Sequence, residues 1–372
     1  MRTAPALAAV LGLVAAAATA TAIVSARTEP APRGLDPLAV PSHVGPTFQS
    51  IGPLAFSPEG VLYAADKQAA AIHALDLTAA ASPAPGTKGI DGIDQQIAAM
   101  LGTAASDLAI TDLAVHPKTR NTYLSVMRGQ GPSAQSALLR VDGAGTLSLV
   151  ALDAVTFTSV SLPNPPAVDG RNRTSAITDM AYMNGRLFVA GLSNEEFSSK
   201  LWSVPYPFRQ MDTGTSVEIF HGNHGRLETN SPVYSFVPTT VDGKPSLIAG
   251  YTCTPLVRFP VDDLRPGAKV MGKTIAELGN RSRPIDMILY RKDGREFLLI
   301  ANTTRGVMKL DTSTFDGAGA ITAPVTAETG GVPFEPVPSM TGVEQLDLLD
   351  ATHTVVLSRT GAALNLQAVI LP

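Results

Sequence analysis

Apolar residues recur in six segments of the chain that share one pattern. The segments lie at residues 51–77, 110–139, 177–204, 231–259, 283–310 and 343–370. In each, a short apolar strand is followed by a tight turn, a second strand that is apolar nearly throughout, a polar loop and a third strand. Continuous apolar runs this short are typical of strands buried on both faces. The pattern therefore predicts a repeated all-β fold whose sheets are covered on both sides.

The turns between the first and second strands carry the residues that tight hairpins need. In four segments these turns are Glu59-Gly60, Asn184-Gly185, Asp242-Gly243 and Asp293-Gly294. Asn, Asp and Gly tolerate the positive φ angles of short hairpin loops. The turns therefore predict antiparallel hairpins.

Six such segments predict a six-bladed β-propeller over residues 51–372, because the middle strands of a blade lie between neighbouring blades. The connections are long, and a seventh, degenerate blade within them is the alternative. One connection contains residues 94–101, which predict a short helix before Gly102. Residues 38–48, within an N-terminal segment 27–50, are predicted to supply an outer strand that closes the ring against the last blade.

The first 26 residues have the composition of a secretory signal peptide. Arg2 is the only charged residue before Arg27, and the Ala-rich apolar run between them ends in Val24-Ser25-Ala26. Small residues at these positions are what a signal peptidase reads. Cleavage there predicts a periplasmic or secreted protein without a membrane span, and an uncleaved anchor helix is the alternative.

Charge and cysteine content argue against two classes of protein. The formal net charge is −4 at pH 7, so no basic stripe is available to neutralise the phosphates of a nucleic-acid partner. Cys253 is the only cysteine, which rules out a disulfide within the chain, and a core of this size does not need one.

The repeat resembles bacterial exported β-propellers of the NHL and WD40-like kind, over most of residues 51–372 and at the level of architecture. No Trp-Asp signature is present. More loosely, the chain is similar to six-bladed sugar-lactone hydrolases. That resemblance implies a divalent cation held on the propeller axis by carboxylates and Asn. No residue is carried over, because the ligand set of that family does not align with this sequence.

The first strands of the blades carry aspartates at corresponding positions: Asp112, Asp179, Asp286 and Asp347. In a propeller, the loop that enters the first strand and the loop between the second and third strands open on one face, here called the entrance face. One interpretation is that the aspartates bind backbone amides where the strands begin. The other is a ring of carboxylates that holds Ca²⁺ on the axis, because hard cations take several oxygen ligands.

The sharpest local feature is a His221-Gly-Asn-His224 sequence ahead of the fourth segment. Its glycines predict a loop and exclude the helical spacing of metalloprotease histidines. Cys253 falls on a loop of the same predicted blade and face, and Glu228 follows the histidines. Because these ligand types suit Zn²⁺ or copper, His221, His224, Cys253 and Glu228 form a candidate metal site. Solvated histidines and a buried cysteine are the alternative.

Arginines gather on the predicted entrance face although the protein is acidic overall. Together with Asn302, they form a candidate site for a small anionic ligand or a protein partner: Arg173, Arg281, Arg283 and Arg305. Guanidinium groups pair with two oxygens of a carboxylate or phosphate at once. The alternative is that exposed loops simply carry arginine.

Two function classes stay open on the sequence. In the first, the protein is a binding or scaffold propeller that uses the entrance face for an anionic molecule or a protein partner. In the second, a metal on that face makes it an enzyme, either a lactonase-like hydrolase or an oxidoreductase subunit. The sequence contains no nucleophile elbow, phosphate-binding loop or haem-attachment motif that favours another class.

Overall fold

A computed structural model of the protein describes residues 45–78, 88–252, 255–279 and 281–372. The predicted signal peptide, residues 38–44 of the predicted closing strand, and Cys253 lie outside the described residues. Within them, the chain forms six sheets, whose strands are antiparallel except for one short parallel pair, together with one short α-helix and several 3₁₀ turns.

The strands are, in chain order, β1 (Ile51–Phe56), β2 (Val61–Asp66), β3 (Ala71–Asp76), β4 (Leu108–Val115), β5 (Thr122–Arg128), β6 (Gln135–Val141), β7 (Leu147–Leu149), β8 (Phe157–Ser161), β9 (Asp179–Met183), β10 (Arg186–Leu192), β11 (Ser199–Pro205), β12 (Thr215–His221), β13 (Arg226–Glu228), β14 (Val233–Val241), β15 (Lys244–Tyr251), β16 (Pro255–Pro260), β17 (Lys269–Met271), β18 (Lys273–Glu277), β19 (Pro284–Lys292), β20 (Arg295–Asn302), β21 (Gly306–Asp311), β22 (Gly330–Gly331), β23 (Glu335–Pro336), β24 (Val343–Leu348), β25 (His353–Thr360) and β26 (Ala363–Ile370). The α-helix is α1 (Ile93–Leu101). The 3₁₀ turns are Ala105–Asp107, Gly131–Ser133, Leu152–Ala154, Arg173–Ser175, Val261–Asp263 and Thr312–Phe315.

The six sheets are the blades of a β-propeller, which confirms the predicted fold class with six blades. Blade I consists of β1–β2–β3–β8, blade II of β4–β5–β6–β7, blade III of β9–β10–β11–β12–β13, blade IV of β14–β15–β16–β18–β22, blade V of β19–β20–β21–β23 and blade VI of β24–β25–β26. The short strand β17 pairs with β12 in parallel and adds to the outer edge of blade III.

The turns between first and second strands have the positive φ angles that the sequence predicts. Asn184, Asp242 and Asp293 each have a φ between 50° and 52°, and the glycine that follows each also has a positive φ. The strands that follow these turns are buried along most of their length, as is β2 throughout. Each blade therefore packs through both faces of its second strand.

Blades I and II do not follow the chain order around the ring. Apolar clusters fill six blade interfaces, between blades I and III, III and IV, IV and V, V and VI, VI and II, and II and I. Blade II thus lies between blades VI and I. The strand β8, which follows blade II in the chain, returns to become the outer strand of blade I.

The connection between blades I and II closes the ring at blade VI. Ile90 forms a bridge with Leu366 of β26, and Asp94 in the first turn of α1 accepts a hydrogen bond from the backbone of Leu364. The predicted helix is confirmed as α1, which ends at Gly102 with a φ of 65°. The described part of the predicted closing strand, from residue 45 to 48, forms no strand.

Among the helices of the described residues, none is long and apolar enough to cross a membrane.

Candidate functional site

The two histidines lie on a hairpin at the outer edge of blade III. The strands β12 and β13 pair with His221 opposite Arg226 and Ile219 opposite Glu228. The backbone N–H groups of His224 and Gly225 donate to the carbonyl of His221, at 3.1 and 2.8 Å. Gly225 has a φ of 63°, which closes the turn and folds His224 back over His221. The two imidazole rings lie 3.7 Å apart between centroids.

Glu228 contacts both histidines. Its Oε1 lies 2.6 Å from Nδ1 of His224, and its Oε2 lies 3.2 Å from Nδ1 of His221. Ser231 donates a hydrogen bond of 2.6 Å to Oε2 of Glu228. One ligand atom from each of the three residues lies within 4.8 Å of the other two, and no other group of three His, Cys, Asp or Glu side chains among the described residues converges as closely.

A second glutamate lies behind His221. Glu277, at the end of β18 in blade IV, is fully buried, and its Oε1 accepts a hydrogen bond of 2.6 Å from the backbone of Gly222. Its Oε2 lies 3.9 Å from Nε2 of His221. That oxygen and both ring nitrogens of His221 are buried without a hydrogen bond of acceptable geometry. His221 is therefore an almost inaccessible imidazole with a carboxylate facing each nitrogen.

The protonation of these groups follows from burial and hydrogen bonding. Burial lowers the pKa of His221, although the Glu228 carboxylate opposes this, so the imidazole is neutral near pH 7. Burial raises the pKa of Glu277 to about 7, against the hydrogen bonds from Gly222 and Asn223. Partial burial acts to raise the pKa of Glu228, but the hydrogen bonds with His224 and Ser231 and the nearby His221 imidazole outweigh it and lower the pKa to about 2. A neutral imidazole beside an ionised carboxylate is the state in which both bind a metal ion.

This His221–His224–Glu228 cluster lies on outer strands and not at the mouth of the propeller axis. The strand β12 is the fourth strand of blade III, and Glu277 is on the fourth strand of blade IV. Whether Cys253 joins the cluster is outside what the described residues show. Glu277 was not predicted from the sequence. The signal that marks it is a single acid in the otherwise apolar end of residues 273–278, since a buried acid in a strand needs a partner.

The predicted aspartates line the axis and join neighbouring blades. Each accepts a hydrogen bond from the next residue of its own strand and another from the innermost strand of an adjacent blade. The four links between blades run from Leu54 to Asp112, Val115 to Asp347, Leu346 to Asp286 and Phe236 to Asp179, at 2.6 to 2.9 Å. These are the backbone contacts that the first interpretation expects. A calcium ion on the axis stays a prediction.

An axial cavity of about 560 Å³ extends from the aspartates toward the turns opposite the entrance face. It reaches Ser57 and Pro58 in blade I and Asp350 in blade VI. The Gln345 side-chain amide fits with its nitrogen toward the carboxylates. In that orientation the nitrogen donates hydrogen bonds of 3.0 Å to Oδ2 of Asp286 and to Oδ1 of Asp112. The cavity therefore has a polar floor and opens on the face where the sequence indicates only hairpin turns.

Burial dominates the ionisation of the axial aspartates. It raises the pKa of Asp179 to about 7 and that of Asp347 to about 6, against their backbone hydrogen bonds. Burial also raises the pKa of Asp112 and Asp286, and repulsion from the other aspartates adds to it. The same desolvation lowers the pKa of the nearby Lys67, which Asp112 partly opposes. The floor of the cavity thus carries less negative charge near pH 6 than four ordinary aspartates would.

The structure brings three of the four predicted arginines together. The Thr304 hydroxyl donates a hydrogen bond to the carbonyl of Arg281, and the backbone N–H of Thr303 donates one to the carbonyl of Arg283. These two arginines and Arg305 therefore lie around one end of blade V. Arg283 donates a hydrogen bond of 2.8 Å to the hydroxyl of Tyr234, and its guanidinium stacks on the Tyr234 ring. Asn302, beside them, is buried with its Oδ1 unpartnered.

Arg173 lies elsewhere. It is 7% exposed, and its guanidinium donates to the carbonyls of Gln68 and Pro166, at 2.8 and 2.6 Å. These contacts join the chain before blade III to loops next to blade I. Arg173 therefore ties two loops together, whereas Arg281 and Arg283 are exposed.

Comparisons with known proteins do not identify a family. No protein-family model matches the sequence, and no curated protein matches it significantly. A chain in the crystal structure of the mitotic checkpoint complex is similar with a TM-score of 0.38 and 10% identity, over 88% of this chain and 94% of that one. The PQQ-bound aldose sugar dehydrogenase from Streptomyces coelicolor is similar with a TM-score of 0.35 and 11% identity, over 89% and 97% of the two chains. Similarity at this level carries no inference about ligand or activity, and the NHL and WD40-like resemblance stays a prediction.

Proposed function

We propose that this protein is an exported propeller that binds one transition-metal ion, zinc or copper, at His221, His224 and Glu228. The observation that carries the proposal is the state of His221, whose two buried nitrogens make no acceptable hydrogen bond. An unsatisfied buried polar group costs about 1–3 kcal/mol, and a metal bound at Nδ1 removes this cost. Two imidazoles and a carboxylate form a ligand set that zinc and copper accept.

Glu277 supports the proposal as a residue that orients His221. Metal-bound histidines generally donate their other N–H to a carboxylate or carbonyl, which fixes the tautomer. Nε2 of His221 faces Oε2 of Glu277. A proton on Nε2 leaves the Nδ1 lone pair free for the ion, on the side where Glu228 and His224 lie.

Three protein ligands leave a tetrahedral ion one open position. Such sites bind an exogenous ligand there or activate a water molecule for hydrolysis. The exposed His224, with 40% of its side chain accessible, gives solvent a way to that position. This favours the metal-dependent enzyme class, with hydrolysis as the reaction type.

The second candidate is an anion-binding or partner-binding propeller without a metal. The observation that favours it is the group of Arg281, Arg283 and Arg305 at one end of blade V, on the predicted entrance face. Both candidates place the protein in the periplasm or outside the cell, on the strength of the signal-peptide pattern in residues 1–26.

Zinc titration of the purified, metal-stripped protein tests the proposal. We expect one equivalent to bind, and His221→Ala and Glu228→Gln to weaken binding at least a hundredfold while the protein stays folded. His353→Ala is the matched control, because His353 also contacts an acid, Asp350, at 3.2 Å but lacks a second histidine. Equal zinc affinity in the wild type and His221→Ala would reject the site and favour the anion-binding candidate.

A further inference from the structure

The hairpin that carries the proposed metal ligands also carries an arginine. In the ladder of β12 and β13, His221 lies directly opposite Arg226, and Ile219 lies directly opposite Glu228. Directly opposed side chains of an antiparallel pair lie on one face of the sheet, with their Cβ atoms about 4.5–5.5 Å apart, and residues two apart in a strand share a face. Arg226 therefore lies on the same face of the hairpin as His221 and Glu228.

The guanidinium of Arg226 contacts the carboxylate that is proposed to bind the metal. Its Nε lies 3.4 Å from Oε1 of Glu228, the same oxygen that lies 2.6 Å from Nδ1 of His224. A zinc ion bound to Oε1 lies about 2.0–2.2 Å from that oxygen, so it is within about 5.6 Å of Nε. Glu228 faces Nδ1 of His221, whereas Glu277 faces Nε2. Arg226 and the proposed ion are thus on the same side of that imidazole.

Most of the hydrogen-bonding capacity of Arg226 is available to a ligand. Its side chain is 70% exposed, and no hydrogen bond joins its Nη1 or Nη2 to another of the described residues. A guanidinium has five N–H donors in one plane, and the contact with Glu228 uses only the one on Nε. The terminal nitrogens can therefore donate to a molecule that binds beside the cluster.

The charges of the metal-loaded site favour an anionic ligand. A zinc ion together with ionised Glu228 and the Arg226 guanidinium leaves an excess of about two positive charges. Glu277, whose pKa burial raises to about 7, offsets at most one of them. A guanidinium this close repels the ion, and an anion that contacts both cations relieves the repulsion.

We propose that Arg226 is the subsite for an oxyanion of the substrate, a carboxylate or phosphate group with one oxygen on the open position of the metal and another on the guanidinium. A metal–oxygen bond of about 2 Å and a charged hydrogen bond of about 2.8 Å span most of the distance from the ion to Nε, and the separation of two oxygens in the group supplies the rest. The planar fork of arginine matches such paired oxygens. The inference rests on the proposed function and names the class of molecule that the metal site binds.

Calorimetric titration of inorganic phosphate and of acetate into the zinc-loaded protein tests this subsite, after zinc loading has been measured for each variant. Arg226→Gln removes the guanidinium, and we expect it to bind the anion at least tenfold more weakly. In buffer without phosphate or carboxylate, the same variant should bind zinc about two- to tenfold more tightly, because a like charge beside the ion is gone. A merely structural arginine would not produce these two opposite changes.

Arg291→Gln is the matched control and should bind zinc and both anions as the wild type does. Nε of Arg291 likewise lies 3.4 Å from a glutamate oxygen, Oε2 of Glu296, and its side chain is also exposed. Arg226→Lys keeps the charge without the planar fork, so it should recover only part of the anion affinity. The metal-stripped wild type should bind the anion at least tenfold more weakly than the zinc-loaded protein, since binding of the two is coupled.

The outcomes separate the two proposals. A protein that takes up no zinc rejects the metal site itself. A zinc-loaded protein that binds neither anion, or that binds them equally well after Arg226→Gln, overturns the oxyanion subsite alone. Equal anion affinity with and without zinc also overturns it, because the anion then does not contact the metal. Tighter binding of phosphate identifies a phosphate group and tighter binding of acetate identifies a carboxylate, and either result supports the subsite.

Discussion

Oδ2 of Asp112 accepts a hydrogen bond of 2.6 Å from the backbone of Leu54, 58 residues earlier in the chain. This contact joins blade II to blade I, and the corresponding bond from Val115 to Asp347 joins blade II to blade VI. Blade II is thereby fixed between the first and last blades. Among the described residues, the chain crosses between the first and last blades twice, at β8 and at Ile90, and no N-terminal strand takes part in closing the ring.

The half-buried carboxylate of Asp179, in the lining of the axial cavity, should make the protein less stable as the pH rises from about 4 to about 7. The unfolded chain releases this proton near the ordinary value of 3.8, whereas the fold keeps it until a pKa of about 7. The folded state therefore binds more protons in that window, and each unit of pKa difference costs about 1.4 kcal/mol of unfolding free energy.

Asp179→Asn removes this titration. The variant also loses one of two backbone hydrogen bonds, so it should be less stable at pH 4. Its urea denaturation should nevertheless change less between pH 4 and pH 7.5 than that of the wild type. Parallel pH profiles for the two proteins would mean that Asp179 is not titrating in this range.

Asp94 should be needed for closing the ring at blade VI. It is 6% exposed and accepts a hydrogen bond of 3.1 Å from Leu364. Asp94→Ala leaves that buried N–H unpaired, which should cost about 1–3 kcal/mol of unfolding free energy in urea. Asp91→Ala, an exposed aspartate just before the helix, should change it by less than about 0.5 kcal/mol. Equal effects of the two changes would show that α1 does not secure blade VI.

Glu277→Gln should weaken zinc binding about ten- to a hundredfold without unfolding the protein. Gln still accepts from Gly222, but its amide nitrogen then faces Nε2 of His221. That favours the tautomer with the proton on Nδ1, the atom proposed to bind the ion. Zinc titration measures the effect, and Glu59→Gln, on an exposed turn, is the control. Unchanged affinity would remove Glu277 from the site.

Arg173→Ala should lower the melting temperature and leave anion binding unchanged. The substitution removes two donors from buried carbonyls, and hydrogen bonds from a charged group contribute about 1.5–3 kcal/mol each. Arg171→Ala, two residues earlier and exposed, should have little effect on melting. A loss of inorganic phosphate binding, measured by calorimetry, without a loss of stability would place Arg173 among the ligand-binding arginines again.

The local sequence pattern predicts the blades correctly, but it does not predict their order around the ring. Apolar strands and Asp-Gly or Asn-Gly turns predict hairpins, and the structure has them, because these preferences act over a few residues. The sequence of residues 94–101 predicts a helix, but no local pattern predicts that Ile90 pairs with Leu366. Which blade adjoins which depends on contacts across hundreds of residues that no local pattern encodes.

The sequence by itself determined the residue types of the candidate sites: two histidines and a glutamate on a glycine-rich loop, arginines on neighbouring loops and aspartates at the strand entrances. Only the tertiary structure decided which of these residues contact one another. It placed Glu277 of blade IV behind His221, set residues 321–328, which lie between β21 and β22, against the turn that carries the histidines, and tied Arg173 to two carbonyls. The physical reason is that a side chain's charge, solvation and partners are set by the elements packed against it. In a propeller those elements come from other blades.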